Sequence, residues 1–216
     1  MFVALWAAKG GSGTTVAAAA LALVLARRVP EIGALCVDLG GDVPAVLGLP
    51  EPDGPGLTGW LAAGDDVAVD ALSRLEVEAG DRLRLLPYGP GPLPSGRGDV
   101  LASLLATDPR AVVVDCGTAP DGAARAVAAG ATVSLLVTRP CYLALRRAVA
   151  APLRPSGIIV VHEEGRTLGR ADIERVVGAP VRAELRYDPS VARSVDAGLL
   201  AARLPKALER PLRRAA

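Results

Sequence analysis

Short apolar runs alternate along this chain with longer segments whose apolar positions recur at helical spacing. The runs predict seven β-strands, at residues 2–8, 34–39, 83–87, 111–115, 132–138, 157–161 and 181–185. The longer segments predict helices near residues 14–28, 97–106, 121–129, 140–150, 170–177 and 190–201. Two segments rich in proline and glycine, residues 49–58 and 88–98, predict loops.

Strands that alternate with helices are typical of βαβ units. The pattern therefore predicts an α/β fold, with a mainly parallel, twisted sheet of about seven strands and helices on both faces. The chain has 216 residues, of which 51% are hydrophobic, enough for one domain with a large core. We expect this domain to span residues 1–198, followed by a tail at residues 199–216.

The charge balance excludes some partners. A formal net charge of +1 argues against a broad electrostatic footprint for nucleic acid, so nucleic acid is not an expected partner. No segment has the length and freedom from charge of a membrane span, and the first strand begins at once without a signal sequence. We therefore expect a cytoplasmic protein.

Residues 9–15, which follow the first predicted strand, are Lys-Gly-Gly-Ser-Gly-Thr-Thr. Glycines between a strand and a helix let backbone N–H groups approach phosphate, and the helix N-terminus favours an anion. A standard P-loop places a lysine where this chain has Thr14, while Thr15 keeps the hydroxyl that contacts Mg²⁺. The predicted nucleotide-binding residues are Lys9, Gly10, Gly11, Ser12, Gly13, Thr14 and Thr15.

Lys9 is one of only two lysines among 24 basic residues, so a lysine directly before Gly-Gly is unusual for this composition. The segment resembles the deviant Walker A motif of the MinD/ParA family of P-loop ATPases. The resemblance implies ATP or ADP with Mg²⁺ as ligands. It also implies a homodimer in which Lys9, as the signature lysine, reaches a phosphate across the interface and assists catalysis.

Asp38 ends the second predicted strand, where the MinD/ParA family has an Asp-x-Asp pair that supports the metal and orients the attacking water. Asp38 matches the first member, so the resemblance gives it a catalytic and metal-binding role. Gly40 occupies the second position and has no side chain to position a water. Asp42 is the nearest replacement, but its spacing differs.

Asp115 follows four apolar residues, a Walker B pattern that predicts a direct or water-mediated Mg²⁺ ligand together with Thr15 and Asp38. A strand that ends in aspartate also commonly caps the next helix, and that alternative stays open. Arg139 and Pro140 follow the fifth predicted strand and match either a family switch segment or an ordinary turn.

The two departures from the family pattern, Thr14 and Gly40, affect binding and hydrolysis differently. Loss of the interior lysine removes about 1.5–3 kcal/mol of charge-assisted contact, while backbone cradling persists. Hydrolysis also needs charge neutralisation and a positioned water, so it loses more. We expect a degenerate P-loop with weak binding and slow or absent ATPase activity.

Residues 41–50, Leu57, Trp60, Leu61 and the strand at 83–87 are similar to the TadZ/CpaE branch of this family, which localises pilus assembly. A related branch contains septum-site-determining proteins. The resemblance implies a positional switch or scaffold whose partner belongs to a pilus, a septum or a membrane machine.

In the tail, leucines recur every fourth residue, opposite a basic side. The leucines are Leu200, Leu204, Leu208 and Leu212, and the basic residues are Arg203, Lys206, Arg210, Arg213 and Arg214. The resemblance allows peripheral contact with the inner face of the membrane. Packing on the domain or on a partner is the alternative, and Pro205 and Pro211 oppose a continuous helix.

Two other classes of function stay open. A dinucleotide-binding oxidoreductase would need a third glycine where Val16 stands, and a scaffold that binds no nucleotide would need no Lys9. The remaining reactive side chains predict no further site. Cys36, Cys116 and Cys141 lack metal-ligand spacing, and the single histidine, His162, is expected at the surface.

Overall fold

The computed structural model describes residues 1–28, 30–64 and 69–215. These residues form eight β-strands and nine α-helices. The strands are β1 (Phe2–Ala7), β2 (Ala34–Asp38), β3 (Val77–Gly80), β4 (Leu83–Leu86), β5 (Ala111–Thr118), β6 (Val133–Thr138), β7 (Gly157–His162) and β8 (Val181–Arg186). The helices are α1 (Thr14–Arg28), α2 (Val43–Leu47), α3 (Gly56–Ala62), α4 (Gly98–Thr107), α5 (Gly122–Gly130), α6 (Tyr142–Ala150), α7 (Arg170–Val177), α8 (Pro189–Asp196) and α9 (Lys206–Leu212).

The strands form one sheet in the order β3-β4-β2-β5-β1-β6-β7-β8. Every pairing is parallel except the β3–β4 hairpin at one edge. Because parallel strands need crossover connections, helices cover both faces of such a sheet.

The central strand β1 is buried on both sides, so it is apolar throughout. Val3 and Leu5 pack on one face of the sheet, and Phe2, Ala4 and Trp6 pack on the other. The first face is covered by α1, α2 and α9, and the second by α3, α4 and α5, with α6 and α7 packed against β7. Alanines along α1 let this buried helix lie close to the sheet.

All seven predicted strands are confirmed, but the expected number of about seven is wrong by one. The additional strand, β3, has the sequence Val-Glu-Ala-Gly and pairs antiparallel with β4. It is too short and too polar to show a strand pattern by itself. The six predicted helices are also present, although the helix predicted at 190–201 ends at Asp196, and α2 and α3 were not predicted. α9 lies in the tail, where the leucine spacing predicts an amphipathic helix.

The tail is not a continuous helix. α9 begins directly after Pro205 and contains Pro211 near its end. Its leucines turn inward: Leu200, Leu204, Leu208 and Leu212 are all buried in the core cluster that contains α1. In the folded chain this apolar side packs on the domain, so it does not face a membrane, and Ala216 lies outside the described residues. No helix in the described ranges is long and apolar enough to cross a bilayer.

Candidate functional site

The glycine-rich loop connects β1 to α1 at the carboxyl edge of the sheet. Gly11 and Gly13 have φ angles of 74° and 84°, a left-handed conformation that glycine adopts without strain. A methyl group built on either residue would meet nothing within 4 Å, so the space above the loop is open. The Ser12 hydroxyl donates a hydrogen bond to the carbonyl of Lys9 at 2.7 Å and holds the loop closed at its base.

The N-terminus of α1 points its first-turn amides toward this open space. The first turn contains no acidic side chain that would neutralise them. Thr14 is buried, with 6% of its surface exposed, and Thr15 is half-buried. The loop and helix together form a cradle of N–H groups suited to an anion such as phosphate.

A cleft of about 690 Å³ lies above the cradle. Its walls are the loop and first turn of α1, the segment after β2 with α2, the end of β5, and α8. The lining residues are Gly11, Ser12, Gly13, Thr14, Thr15, Val16, Gly40, Asp42, Ala45, Val46, Gly117, Thr118 and Val195. This volume is within the range of small-molecule sites, at the strand ends where ligands bind to open α/β sheets.

A second, mainly apolar cavity of about 330 Å³ adjoins the cleft. Gly13, Val16 and Val195 line both spaces, so the two lie side by side at the end of the loop. Tyr187 and Leu185 supply apolar surface beyond them. A ligand with an anionic part for the helix N-terminus and an apolar part for the cavity would suit these two neighbouring spaces.

Asp115 is fully buried beneath the cleft, and one of its oxygens has no partner. The Gly117 amide donates to Oδ1 at 3.0 Å, whereas Oδ2 has no partner within hydrogen-bond geometry, although the Thr15 hydroxyl lies close to the carboxyl group. Burial raises the pKa of Asp115, while the nearby Thr15 hydroxyl and the Gly117 amide oppose the increase. A buried carboxylate oxygen without a partner, beside a hydroxyl, fits a Mg²⁺ ligand set.

Asp38 has a different environment, because its carboxylate organises the loop after β2. Oδ1 accepts hydrogen bonds from the amides of Gly40 at 3.0 Å and Gly41 at 2.6 Å, and Oδ2 accepts one from Val43 at 3.1 Å. These bonds fix the entry to α2. Oδ1 is occupied by two amides, whereas Oδ2, with one, keeps a lone pair that a metal or a water could use, and the metal or catalytic role of Asp38 stays a prediction.

Burial raises the pKa of Asp38 to about 6, although the amide of Gly41 opposes the increase. An unfolded aspartate titrates near pH 4, so between pH 4 and 6 the folded chain holds a proton that the unfolded chain has lost. The free energy of unfolding should therefore fall by up to about 3 kcal/mol as pH rises through this window, and then level off. Denaturant titrations at several pH values would measure the decline.

Asp38→Asn is the control for this pH dependence, because it removes the titrating group and keeps one acceptor oxygen. The decline should become much smaller in the variant, with only the raised pKa of Asp115 acting in the same direction. Carboxylates with lowered pKa, such as Asp108, act in the opposite direction near the acidic end of this window, so the difference between wild type and variant is the test. The same pH dependence in both proteins would contradict the assignment.

Gly40 packs directly against Asp115. A methyl group built on Gly40 would lie 3.0 Å from Oδ2 of Asp115 and 3.5 Å from the Cα of Gly117. Very few real side chains approach so closely, so a larger residue here would push against the buried carboxyl group. The resemblance expects a second aspartate at this position, and here the space is instead taken up by the contact between the ends of β2 and β5.

Lys9 lies beside an ion-pair cluster at the start of the loop. Its ammonium group is 3.4 Å from the carbonyl of Gly10. Glu163 forms ion pairs with Arg166 and Arg139, and the hydrogen bond from Arg166, followed by the charges of Arg139 and Lys9, lowers the pKa of Glu163. The structure thus connects the loop to Arg139, at the segment where the sequence predicts a switch or a turn.

The other candidate residues lie outside the cleft. Cys36 and Cys116 are buried in strands, as predicted, and Cys141 caps α6 by accepting a hydrogen bond from the Ala144 amide. His162 pairs with Glu184 at 2.8 Å near the surface. Among the described residues no group of three His, Cys, Asp or Glu side chains is arranged to hold a metal.

Sequence reasoning did not identify Val195 and Tyr187 as cleft or cavity residues. Asp188, whose side chain accepts from the Ser190 amide, and Pro189 form a clear helix start, so α8 itself was predictable. Its position over the glycine-rich loop depends on tertiary packing, because residues 187–196 are far from the loop in sequence.

No protein-family model and no curated protein sequence matches the chain. Solved structures match over nearly its whole length. A ParA family ATPase from Chlorobium tepidum is 23% identical with a TM-score of 0.80, covering 98% of this chain and 95% of its own. The septum site-determining protein MinD of Pyrococcus horikoshii, complexed with Mg-ADP, is 19% identical with a TM-score of 0.77, covering 99% and 93%.

A Cyanothece McdA(D38A)–ATP complex is 17% identical with a TM-score of 0.72, covering 99% of this chain and 94% of its own. A structure of the MinC–MinD cell division complex from Aquifex aeolicus matches similarly, with 17% identity and a TM-score of 0.79 over 100% and 94%. Similarity at these identities defines architecture: the chain has the fold of the ParA and MinD ATPases.

Proposed function

We propose that this chain is a nucleotide-binding positioning protein of the MinD/ParA type. It binds ATP or ADP with Mg²⁺ at residues 9–15, hydrolyses ATP slowly or not at all, and acts as a homodimeric switch or scaffold. The observation that carries the proposal is the open N–H cradle directly beside the unpartnered Oδ2 of Asp115. A phosphate and its metal ion would satisfy both features at once.

Mg²⁺ would be held by the Thr15 hydroxyl and the Asp115 carboxylate, where it would offset phosphate charge. The chain's own residues then bind and orient the nucleotide. Gly11 and Gly13 keep the loop close to the phosphates, and the adjoining apolar cavity at Tyr187 receives the base. Structures of the same fold with Mg-ADP and with ATP support this ligand class.

Weak or absent hydrolysis follows from two positions. Thr14 supplies no charge to the terminal phosphates, and Gly40 supplies no side chain that could orient an attacking water. Each contact typically contributes much of the rate in phosphoryl transfer, so losing both affects chemistry more than binding.

Through this site the protein would act in positioning a partner protein. Lys9 stands at the loop surface beside Glu163, where it could reach a second protomer. A protein partner from a pilus, septum or membrane machine would then recognise the dimer, as MinC does in the MinC–MinD complex of Aquifex aeolicus.

A pseudo-ATPase scaffold is the second candidate, since the cleft lacks the interior lysine and the second aspartate. An oxidoreductase is disfavoured, because Val16 stands where a dinucleotide-binding turn needs its third glycine, and this residue lies inside α1 and lines the cleft. A binding measurement distinguishes these candidates, because the switch binds nucleotide and the scaffold does not.

The test is a calorimetric titration of Mg-ATP and of Mg-ADP into the wild-type protein and a Lys9→Ala variant. We expect saturable binding to wild type and affinity about tenfold lower in the variant, the loss expected for one charge-assisted contact. The matched control is Lys206→Ala, which removes the only other lysine from an exposed position in the tail and should leave affinity unchanged.

Absence of heat up to millimolar concentrations of both nucleotides would overturn the switch and support the scaffold. Equal losses in Lys9→Ala and Lys206→Ala would contradict a specific role for Lys9.

A further inference from the structure

The cleft contains carboxyl groups but no cationic side chain. Among the described residues that line it, none is lysine or arginine, while Asp42 forms part of the wall and Asp115 lies directly beneath. The nearest basic groups lie outside. Arg139 and Arg186 border the adjoining apolar cavity, and Arg139 is paired with Glu163, whose charge also acts on Lys9.

The attraction for phosphate therefore comes from the loop, through its backbone amides and Lys9 at its start, and not from the cleft wall. The N-terminus of a helix carries the equivalent of about half a positive charge, and this effect falls off within the first turn. It acts on the phosphate seated in the loop, next to Gly11 and Gly13. In a bound nucleotide, a phosphate that lies farther from the helix N-terminus gains little from this partial charge.

Thr14 occupies the position from which a P-loop lysine reaches the β- and γ-phosphates. Its side chain is buried, with 6% of its surface exposed, and it carries no charge. A third phosphate would add negative charge near Asp42 and Asp115, and no cationic side chain among the described residues that line the cleft would offset it. A diphosphate avoids that charge and still uses the loop, the helix N-terminus and Thr15.

We infer that this site selects nucleoside diphosphates over triphosphates, because its only fixed attraction lies at the loop and its cleft wall is acidic. The inference rests on the proposed function and specifies its ligand.

The test compares dissociation constants of Mg-ADP and Mg-ATP for the wild-type protein, for Thr14→Lys and for Thr14→Met. We expect wild type to bind Mg-ADP more tightly than Mg-ATP. Thr14→Lys should shift the ratio toward Mg-ATP by roughly 10- to 100-fold, the effect of one charge-assisted contact. Thr14→Met adds comparable length without charge and should leave the ratio unchanged.

Wild-type protein that binds Mg-ATP as tightly as Mg-ADP, or more tightly, would overturn the inference and leave the proposed function intact. Protein that binds neither nucleotide would overturn both. Because the wild-type ratio decides the question, the inference stays testable even if a variant at the buried position 14 fails to fold.

Discussion

Replacing Gly48 with alanine should lower the free energy of unfolding by about 2–5 kcal/mol. Gly48 ends α2 in the left-handed conformation, with φ 77° and ψ 27°. A methyl group built there would lie 2.1 Å from the carbonyl oxygen of Gly198, just beyond α8. The backbone conformation costs an alanine about 1–2 kcal/mol, and the overlap adds about 1–3 kcal/mol. Guanidinium unfolding would measure the change.

Gly178→Ala is a closely matched control. Gly178 ends α7 with φ 78° and ψ 24°, nearly the same backbone conformation, but a methyl group built there meets nothing within 4 Å. Gly178→Ala should lower the free energy of unfolding only by the conformational cost, about 1–2 kcal/mol. Equal losses in the two variants would show that α2 and α8 do not meet closely at Gly48 and Gly198.

This contact joins two walls of the cleft. Val46 of α2 and Val195 of α8 both line it, and each lies within a few residues of the glycine pair. Two glycines let the backbones approach more closely than any side chain would allow. The width of the cleft therefore depends on a contact far in sequence from the glycine-rich loop.

Much of the fold was predictable because buried parallel strands are apolar on both faces. β1, β2, β5 and β6 are short, apolar and separated by helical segments, so their pattern has few other solutions. The hairpin strand β3 gave no such signal. Glu78 is exposed and Gly80 has no side chain to pack, so this strand is defined by its register with β4.

The glycine-rich loop was predictable for a similar reason, since a strand, three glycines and an alanine-rich helix permit few conformations. The surroundings of the carboxyl groups could not be predicted from the sequence. The sequence predicted Asp38 and Asp115 at strand ends, but it gave no means to distinguish a carboxylate held by three amides from one with an unpartnered oxygen. That difference depends on the path of the chain after β2.

The tail shows how one pattern can have two structures. Leucines at every fourth position with arginines opposite would bury equally well in a membrane surface or in a protein core. The tertiary structure selects the core, because α1 and β8 leave an apolar surface that α9 covers. The sequence contains α9 and the apolar residues of α1 and β8, but it does not show that the fold brings them into contact.

Leu212→Ala should consequently lower the free energy of unfolding by about 2–5 kcal/mol, the cost of a large cavity in a packed core. Leu212 has 0% of its surface exposed and lies in the cluster that contains α1. Since small domains have only about 5–15 kcal/mol of stability, the loss would be a large fraction of the total. The guanidinium midpoint, with its slope unchanged, would report the loss.

Leu199→Ala is the matched control, because it makes the same substitution in the same tail at a residue that is 49% exposed. It should change stability by no more than about 0.5 kcal/mol. If both variants lost equally little, residues 199–216 would be an appendage that folds apart from residues 1–198, and the leucines would be free to reach a membrane. A large loss in Leu212→Ala alone would make the tail part of the core, so that only its basic side could contact an anionic partner.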